Sequence, residues 1–217
     1  MAVSCVTISH SPRPTLVVMV KEPRPGRVKS RLARDIGTIP ALWWYRHQTR
    51  RLLRTLRDPS WNMALAVTPD RAARSTIWPA DLPRLPQGPG DLGQRMARLL
   101  TGLGSGPVVL IGSDIPGITR AHIRRAFHAL AGADAVFGPA TDGGYWLVGL
   151  RQVRATPPAF LRNVRWSGPH TLSDSMTTCE HLRVVTTDPL DDIDTGGDLR
   201  RYESARRQAR TVLGAPA

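Results

Sequence analysis

The sequence predicts an α/β protein of three layers, in which helices cover both faces of a mainly parallel sheet. Short runs of apolar and β-branched residues recur along the chain, and segments with helical spacing of apolar residues separate them. Unbroken apolar runs are typical of strands buried on both faces, and alternation with helices is typical of parallel connections. In such sheets, ligands bind at the carboxyl ends of the strands. The loops that follow the strands are therefore where functional residues are expected.

Six segments have the composition of buried strands. The first, Thr15–Lys21, reads TLVVMVK and is apolar almost throughout, without the alternation of a half-exposed strand. MALAVT, PVVLIG, DAVFG, YWLVGL and LRVVT resemble it in composition. These further strands are predicted at residues 63–68, 107–112, 134–138, 145–150 and 182–186.

Helical patterns lie between these strands. In residues 41–56, apolar side chains recur at three- and four-residue spacing along one stripe, which predicts an amphipathic helix. The same spacing recurs in later segments, and Pro116 and Gly117 precede the one that begins at residue 118. The other helices are predicted to begin near Ser30 and to span residues 92–103, 118–130 and 197 to about 212.

Length and composition fit one globular domain. The chain has 217 residues, 41% of them hydrophobic, enough for a single continuous core. We expect residues 1–14 to form a flexible tail and residues 15–213 to form the domain. Cys5 and Cys179 lie far apart, which excludes a disulfide scaffold or a cysteine metal site and favours a reducing compartment. Without a signal-peptide-like or bilayer-length apolar run, we expect a cytoplasmic protein with no membrane span.

The charge predicts anionic partners. There are 30 Lys and Arg residues against 17 Asp and Glu, a formal net charge of +13. Arginines are scattered along the predicted helices between apolar residues, as on solvated helix faces, and no nucleic-acid-binding signature accompanies them. We therefore expect a phosphorylated small molecule as the partner, and no nucleic acid.

The loop after the first strand, KEPRPGRVKSRL at residues 21–32, is the first candidate site. Its prolines stiffen the path, and Gly26 permits close approach of the backbone to a ligand. Basic residues just before a helix start make a site for a di- or triphosphate. Lys21, Arg27, Lys29 and Arg31 are the candidate ligands of the nucleotide. A basic surface turn without function is the alternative.

A glycine-rich loop at residues 87–96, QGPGDLGQRM, runs into a predicted helix. Gly90 allows the backbone to lie against a ligand, and Gln87 and Asp91 can form hydrogen bonds with a base edge or a ribose. Asp91 is equally suited to cap the helix that follows. Both roles are compatible with the sequence.

Asp114, in the segment IGSDIP, directly follows the central predicted strand. A carboxylate in this position is suited to hold a Mg²⁺ ion that bridges phosphates. The alternative is a cap of the next helix, for which Ser113 and Thr119 are placed better.

Residues 188–198 contain five aspartates, which repel one another unless a cation or arginines neutralise them. Thr195 and Asp198 fit the capping pattern of the last helix. Asp192 and Asp194 are then the candidates for a second contribution to a metal site.

The segment GPATDGGYWL joins two predicted strands, and Asp-Gly-Gly there is an ordinary hairpin turn signal. The threonine and the aromatic residues make the segment richer than a plain turn. We therefore also consider it the wall of a pocket for the acceptor substrate. The candidate residues are Thr141, Asp142, Gly143, Gly144 and Tyr145.

Taken in order, the segments KEPRPGRVKSRL, QGPGDLGQRM, IGSDIP, GPATDGGYWLVGL and DIDTGGDL resemble the DUF2064 family. That family is described as glycosyltransferase-like and related to 2-phospholactate guanylyltransferases, and the resemblance covers roughly residues 15–202. It implies the GT-A fold of nucleotide-diphospho-sugar transferases, a Rossmann-type nucleotide-binding domain.

The resemblance also implies roles for individual residues. In related nucleotidyltransferases the loop after the first strand wraps the phosphates, and its lysine, here Lys29, neutralises them. An aspartate after the central strand, here Asp114, binds magnesium, and a late aspartate, here Asp192 or Asp194, completes the metal site. Lys29 and Asp114 are accordingly the expected catalytic residues.

These observations predict a transferase that uses Mg²⁺ or Mn²⁺, a nucleotide and a small acceptor. In the favoured version, a phosphate or carboxylate acceptor attacks the α-phosphorus of an NTP and pyrophosphate leaves, with positioning and charge neutralisation as the protein's contribution. The alternatives are a glycosyltransferase that uses an NDP-sugar and a nucleotide-binding module without turnover.

Overall fold

The computed structural model describes residues 13–103, 106–151 and 157–212. Most of the predicted tail, including Cys5, lies outside these described residues. The strands are β1 (Thr15–Lys21), β2 (Asn62–Thr68), β3 (Arg84–Pro86), β4 (Val108–Gly112), β5 (Ala135–Pro139), β6 (Tyr145–Leu150) and β7 (Val184–Thr186). The helices are α1 (Ser30–Ile36), α2 (Thr38–Thr55), α3 (Leu92–Gly102), α4 (Arg120–Gly132), α5 (Thr171–Thr177) and α6 (Gly196–Val212).

The seven strands form one sheet in the order β3-β2-β1-β4-β6-β5-β7. β6 runs antiparallel to its neighbours β4 and β5, and the other pairs are parallel. The predicted α/β class with a mainly parallel sheet is confirmed. The reversed direction of β6 was not predicted, because a buried strand has the same apolar composition in either direction.

Each face of the sheet carries its own apolar cluster. Leu16 and Val18 of β1 belong to one cluster, with residues of α2 and α4, while Val17 belongs to the other, with residues of α3. Successive side chains of a strand point to opposite faces, so β1 is apolar at nearly every position. The three-layer arrangement follows from this double burial.

Most predicted elements are present, with ends that differ by a few residues. α2 begins before the predicted start because Pro40 is accommodated in its first turn. α4 begins at Arg120, because Thr119 accepts a hydrogen bond from the backbone of His122 as its N-cap. Three elements were missed, and they are short or polar: β3, α5 and a 3-10 turn at Asp70–Arg74. Among the described helices, none combines the length and apolar character of a membrane span.

The direction of the strands places one edge of the sheet at the functional loops. β1, β2 and β4 end at this edge, and the antiparallel β6 begins there. The loops after β1 and β4 and the turn before β6 therefore lie next to one another.

Candidate active site

A cleft of about 580 Å³ opens at the carboxyl edge of the sheet. The ends of β1, β2 and β4 and the start of β6 contribute to its walls, together with the loop before α1. The acidic loop, defined as residues 188–198 at the start of α6, also contributes. Location and composition agree with the ligand site expected for an open α/β sheet.

The ammonium of Lys29 lies among three carboxylates in this cleft. Its Nζ atom is 2.7 Å from Asp114 Oδ2, 3.3 Å from Asp192 Oδ2 and 2.8 Å from Asp194 Oδ1. The Lys29 side chain is only 4% exposed, whereas the carboxylates are 31–39% exposed. Arg31 contacts the second oxygen of Asp194 at 2.8 Å. Three carboxylates from two separate loops thus meet around one buried cation from a third loop.

The local fold explains how Lys29 reaches this position. Val28 packs against Leu42 and Tyr45 of α2, and Leu32 is buried one helical turn later. Between them, Lys29 has left-handed backbone angles, φ 48° and ψ 50°, and its carbonyl accepts the hydrogen bond of Ala33. Left-handed conformation is uncommon for a residue other than glycine. The buried neighbours and the helix start thus hold Lys29 in a sparsely populated conformation that directs its side chain into the cluster.

The five aspartates of the acidic loop divide into three with partners outside the cleft cluster and two that face Lys29. Asp188 pairs with Arg125, Asp191 accepts two hydrogen bonds from Thr141, and Asp198 accepts hydrogen bonds from the residues just before α6. Only Asp192 and Asp194 face Lys29. The capping role proposed for Thr195 and Asp198 is therefore present. Asp192 and Asp194 are oriented separately, toward Lys29.

Contacts on either side hold the acidic loop against the cleft. The buried Ile193 packs against Leu32, and the backbone N–H of Gly196 donates to Asp35 of α1 at 2.7 Å. Asp114, by contrast, is positioned by the sheet, because it lies two residues after the end of β4. It does not cap α4, a role that Thr119 performs.

Tyr45 was not recognised as a site residue from sequence. Its hydroxyl accepts a hydrogen bond from the backbone N–H of Lys21 at 2.9 Å and lies 3.0 Å from Ser113 Oγ. It thereby connects the end of β1 with the end of β4, next to Asp114. The available signal was a tyrosine on the buried stripe of a helix, since a buried hydroxyl needs a polar partner.

The cluster shifts the pKa of its members in different directions. Burial and then the neighbouring Asp114 and Asp194 raise the pKa of Asp192 to about 6, against the opposing effect of Lys29. Burial also disfavours the charged form of Asp194, but Lys29 and Arg31 outweigh it and lower the pKa. Burial would lower the pKa of Lys29, and the three carboxylates outweigh it, so the pKa is raised. Lys29 is therefore a cation at physiological pH.

The three carboxylates fit a divalent metal ion. One oxygen from each of Asp114, Asp192 and Asp194 lies within 4.8 Å of the others. Carboxylate oxygens are the ligands that Mg²⁺ and Mn²⁺ prefer, and the ammonium of Lys29 already occupies the cation position between them.

The remaining residues predicted for the nucleotide are divided between the cleft and its surroundings. Lys21, Arg27, Arg31 and Gln87 line the cleft, although the side-chain amide of Gln87 is buried and donates to the backbone carbonyls of Ala66 and Val20. The predicted residues Gly26, Gly90 and Asp91 do not line the cleft.

Asp91 instead caps α3. Its carboxylate accepts the backbone N–H of Gln94 at 2.8 Å, and the Gln94 side chain accepts the backbone N–H of Asp91 in return. The carbonyl of Gly90 accepts a hydrogen bond from Arg95. The capping role expected of Asp91 is therefore present in the structure.

The Asp-Gly-Gly segment is a hairpin turn and also part of the cleft wall. The backbone N–H of Ala140 donates to Gly144, and the turn joins the antiparallel strands β5 and β6. Asp142, Gly144 and Tyr145 line the cleft, whereas Thr141 and Gly143 do not. Gly143 has φ +84°, and a Cβ atom there would lie 2.3 Å from the carbonyl oxygen of Pro169. No larger residue fits this turn without displacing the segment before α5.

One wall of the cleft is apolar, and of its residues only Tyr145 was predicted to line a pocket. Leu92 and Met96 of α3, Tyr145 and Trp166 line it, and Leu92 is 44% exposed. The rings of Tyr145 and Trp166 meet edge to face at 6.5 Å. The sequence signal was weak, because Leu92 and Met96 have the same spacing as the core residues of α3.

Comparison with solved structures places this fold among nucleotide-using transferases. A candidate nucleotide-diphospho-sugar transferase from Desulfovibrio desulfuricans G20 is 29% identical, with a TM-score of 0.75, over 86% of this chain and 84% of its own. A nucleotidyl transferase from Methanothermobacter thermautotrophicus, Mth528, is 14% identical, with a TM-score of 0.57, over 92% of this chain and 100% of its own. Rv0371c from Mycobacterium tuberculosis H37Rv in complex with manganese is 18% identical, with a TM-score of 0.50, over 87% and 97%.

No curated protein matches the chain in sequence. A sequence model of one family, described as an uncharacterized protein conserved in bacteria, matches residues 51–168. This range begins within α2, includes Asp114 and the Asp-Gly-Gly turn, and covers more than half of the chain. The chain therefore belongs to the DUF2064 family.

Proposed function

We propose that this protein is a metal-dependent nucleotidyltransferase that transfers a nucleotidyl group from an NTP to a small phosphorylated or carboxylate acceptor. The observation that carries the proposal is the convergence of Lys29, Asp114, Asp192 and Asp194 in one cleft at the carboxyl edge of the sheet. The fold shared with a nucleotidyl transferase and with a manganese complex supports it.

In this mechanism, Asp114, Asp192 and Asp194 would hold Mg²⁺ or Mn²⁺. When bound, the ion supplies charge neutralisation for the phosphates of the nucleotide. Lys21, Arg27 and Arg31 line the same cleft and provide further positive charge toward the phosphates. The acceptor would bind on the side of Asp142, Gly144 and Tyr145.

The reaction needs no covalent enzyme intermediate. An acceptor oxygen forms a bond with the α-phosphorus of the NTP, the bond from this phosphorus to the bridging oxygen breaks, and pyrophosphate leaves. The contribution of the protein is to align the two substrates and to balance the negative charge of the departing group.

Glycosyl transfer from an NDP-sugar is the second candidate function. The 29% identical structure from Desulfovibrio desulfuricans favours it, because that protein is described as a candidate nucleotide-diphospho-sugar transferase. The same cleft and metal site would serve, but the acceptor would attack the anomeric carbon and a nucleoside diphosphate would leave. A binding module without turnover is disfavoured, since it has less need of metal-facing carboxylates from two separate loops.

Isotope transfer distinguishes these functions. The purified protein would be incubated with Mg²⁺ and a panel of phosphorylated and carboxylate acceptors, in parallel with α-³²P-labelled NTPs and with NDP-sugars labelled in the sugar. Nucleotidyl transfer moves the α-phosphorus label to the acceptor and releases pyrophosphate in equal amount. Transfer of labelled sugar with release of a nucleoside diphosphate would contradict the proposal and establish the second function. Asp114→Asn is the control and should abolish either transfer.

A further inference from the structure

We propose that Lys29 is an exchangeable counter-ion of the metal site, which leaves the three carboxylates for the phosphates of the nucleotide when the metal ion binds. The inference deepens the proposed function and rests on it. Its consequence is a coupling between the two ligands: metal binds weakly alone and more tightly when a nucleotide is present.

A bound metal ion and the Lys29 ammonium would occupy overlapping positions. Lys29 Nζ is within 3.3 Å of one oxygen from each of Asp114, Asp192 and Asp194. A Mg²⁺ ion bound to the same oxygens at about 2.1 Å would lie in the space that this ammonium fills. Two cations cannot share that space, because they repel each other strongly in a site shielded from solvent.

The metal ion and the Lys29 ammonium reach the carboxylates from different sides. The carboxylates are about a third exposed toward the cleft, whereas the Lys29 side chain is 4% exposed. A metal ion therefore has access from the cleft. The backbone of Lys29 is fixed at the start of α1, and the residue lines the cleft, so a change of rotamer in its flexible side chain would bring the ammonium to a ligand there.

Once displaced from the carboxylates, the Lys29 ammonium requires a new anionic partner. A buried ammonium that loses its carboxylates needs another anion, because an unpaired buried charge is strongly unfavourable. Lys21, Arg27 and Arg31 line the same cleft and would gather the phosphates there. The phosphates thus supply the partner that Lys29 loses, so nucleotide favours the entry of metal.

Lysine side-chain NMR tests the exchange on the unmodified protein. The chain contains only two lysines, so a ¹⁵N-lysine sample gives a simple spectrum. We expect the buried Lys29 ammonium to give a signal protected from solvent exchange, assigned by its loss in Lys29→Met. Mg²⁺ with pyrophosphate should shift or remove this signal, and pyrophosphate alone should have a smaller effect.

Calorimetry on the same samples measures whether Mg²⁺ binds, and this separates the possible outcomes. Bound Mg²⁺ with an unchanged Lys29 signal would overturn the exchange and leave the proposed function intact, because the metal would then use other carboxylate oxygens. An absence of Mg²⁺ binding, with or without pyrophosphate, would overturn the exchange and contradict the proposed metal-dependent function as well.

The affinity for Mn²⁺ alone, followed by its electron paramagnetic resonance signal, is an independent measurement. Removing the competing ammonium should make Lys29→Met bind Mn²⁺ about tenfold or more tightly than the unmodified protein. Arg31→Gln is the matched control, because Arg31 pairs with Asp194 but is 62% exposed. Pyrophosphate should then enhance Mn²⁺ binding less in Lys29→Met than in the unmodified protein. An equal enhancement in the two proteins would overturn the exchange.

Discussion

At the scale of single residues, Tyr45 shows how the core supports the cleft. Its hydroxyl bonds the backbone of Lys21 and lies against Ser113, and burial raises its pKa. The tyrosine lies on α2, beneath the loops that carry the charged residues. It is a positioning residue, since it acts through the ends of β1 and β4.

Tyr45→Phe should lower the free energy of unfolding by about 1–2 kcal/mol, because the partly buried N–H of Lys21 loses its hydrogen-bond partner. Urea denaturation measures this loss. Tyr202→Phe is the control, because among the described residues the Tyr202 hydroxyl makes only a long contact of 3.5 Å with Arg51, and we expect almost no change. Equal stability of both variants and the unmodified protein would contradict the role assigned to Tyr45.

The Cys179 thiol should be unreactive in the folded protein. It is 2% exposed, and burial raises its pKa to about 11. The thiolate, which is the reactive form, is therefore scarce at pH 8. In a Cys5→Ser variant, iodoacetamide labelling of Cys179 should appear only in urea, together with loss of circular dichroism. Rapid labelling without urea would contradict the burial of the thiol in the folded protein.

The raised pKa of Cys179 makes the stability of the folded protein depend on pH. The folded pKa of Cys179 lies above the ordinary value of about 8.5, so protonation favours the folded chain. This contribution is complete below pH 8.5 and decreases as the pH rises toward 11. In a Cys5→Ser background, the additional variant Cys179→Ala should therefore lose less stability between pH 8 and pH 10.

The site was predictable at this scale only where residues are charged and follow strands. Lys29, Asp114, Asp192 and Asp194 were found because parallel strands end at a common edge and carboxylates attract cations. The hydrogen bonds of the buried Gln87 amide to the backbone and the role of the Tyr45 hydroxyl were not predicted. Their roles depend on which strand ends lie beside them, which a local pattern does not contain.

At the scale of elements, helix capping separates structural from binding roles. Asp91 and Thr119 each form reciprocal capping hydrogen bonds, at the starts of α3 and α4. Asp91 was considered for nucleotide binding, but it does not line the cleft.

Asp91→Ala should therefore lower the free energy of unfolding by about 1 kcal/mol and leave nucleotide affinity unchanged. Thr119→Ala is the matched control and should show a similar loss. Urea denaturation and a nucleotide titration measure the two quantities. A large decrease in nucleotide affinity for Asp91→Ala alone would contradict the capping role and support the binding alternative.

Elements were predictable where burial is complete and missed where it is not. β1 and β4 have unbroken apolar sequences because helices cover both faces. β3 has three residues, with sequence RLP, and α5 has the polar sequence TLSDSMT. Neither has enough apolar residues to show a period, and both form through contacts with distant parts of the chain.

At the scale of the whole molecule, the net charge of +13 is distributed rather than concentrated. Many exposed arginines are engaged by nearby aspartates, as in the pairs Arg57–Asp81 and Arg165–Asp174. The general positive field attracts anions, and we expect the cleft to select among them.

Binding to DNA should therefore be non-specific. We expect its affinity to fall steeply with salt concentration and to be the same in the Asp114→Asn variant. Fluorescence anisotropy with a labelled duplex measures both. Salt-resistant binding, or binding that depends on Asp114, would show that the cleft recognises nucleic acid and would contradict a small-molecule partner.

The function proposed for the cleft requires that it binds a nucleotide together with a divalent cation. Thermal unfolding of the purified protein, with NTPs and with NDP-sugars in the presence and absence of Mg²⁺, tests it most directly, because a ligand of the folded state raises the Tm. We predict a Mg²⁺-dependent rise in Tm with at least one NTP, and none with the Asp114→Asn variant. No rise with any NTP or NDP-sugar would contradict the claim.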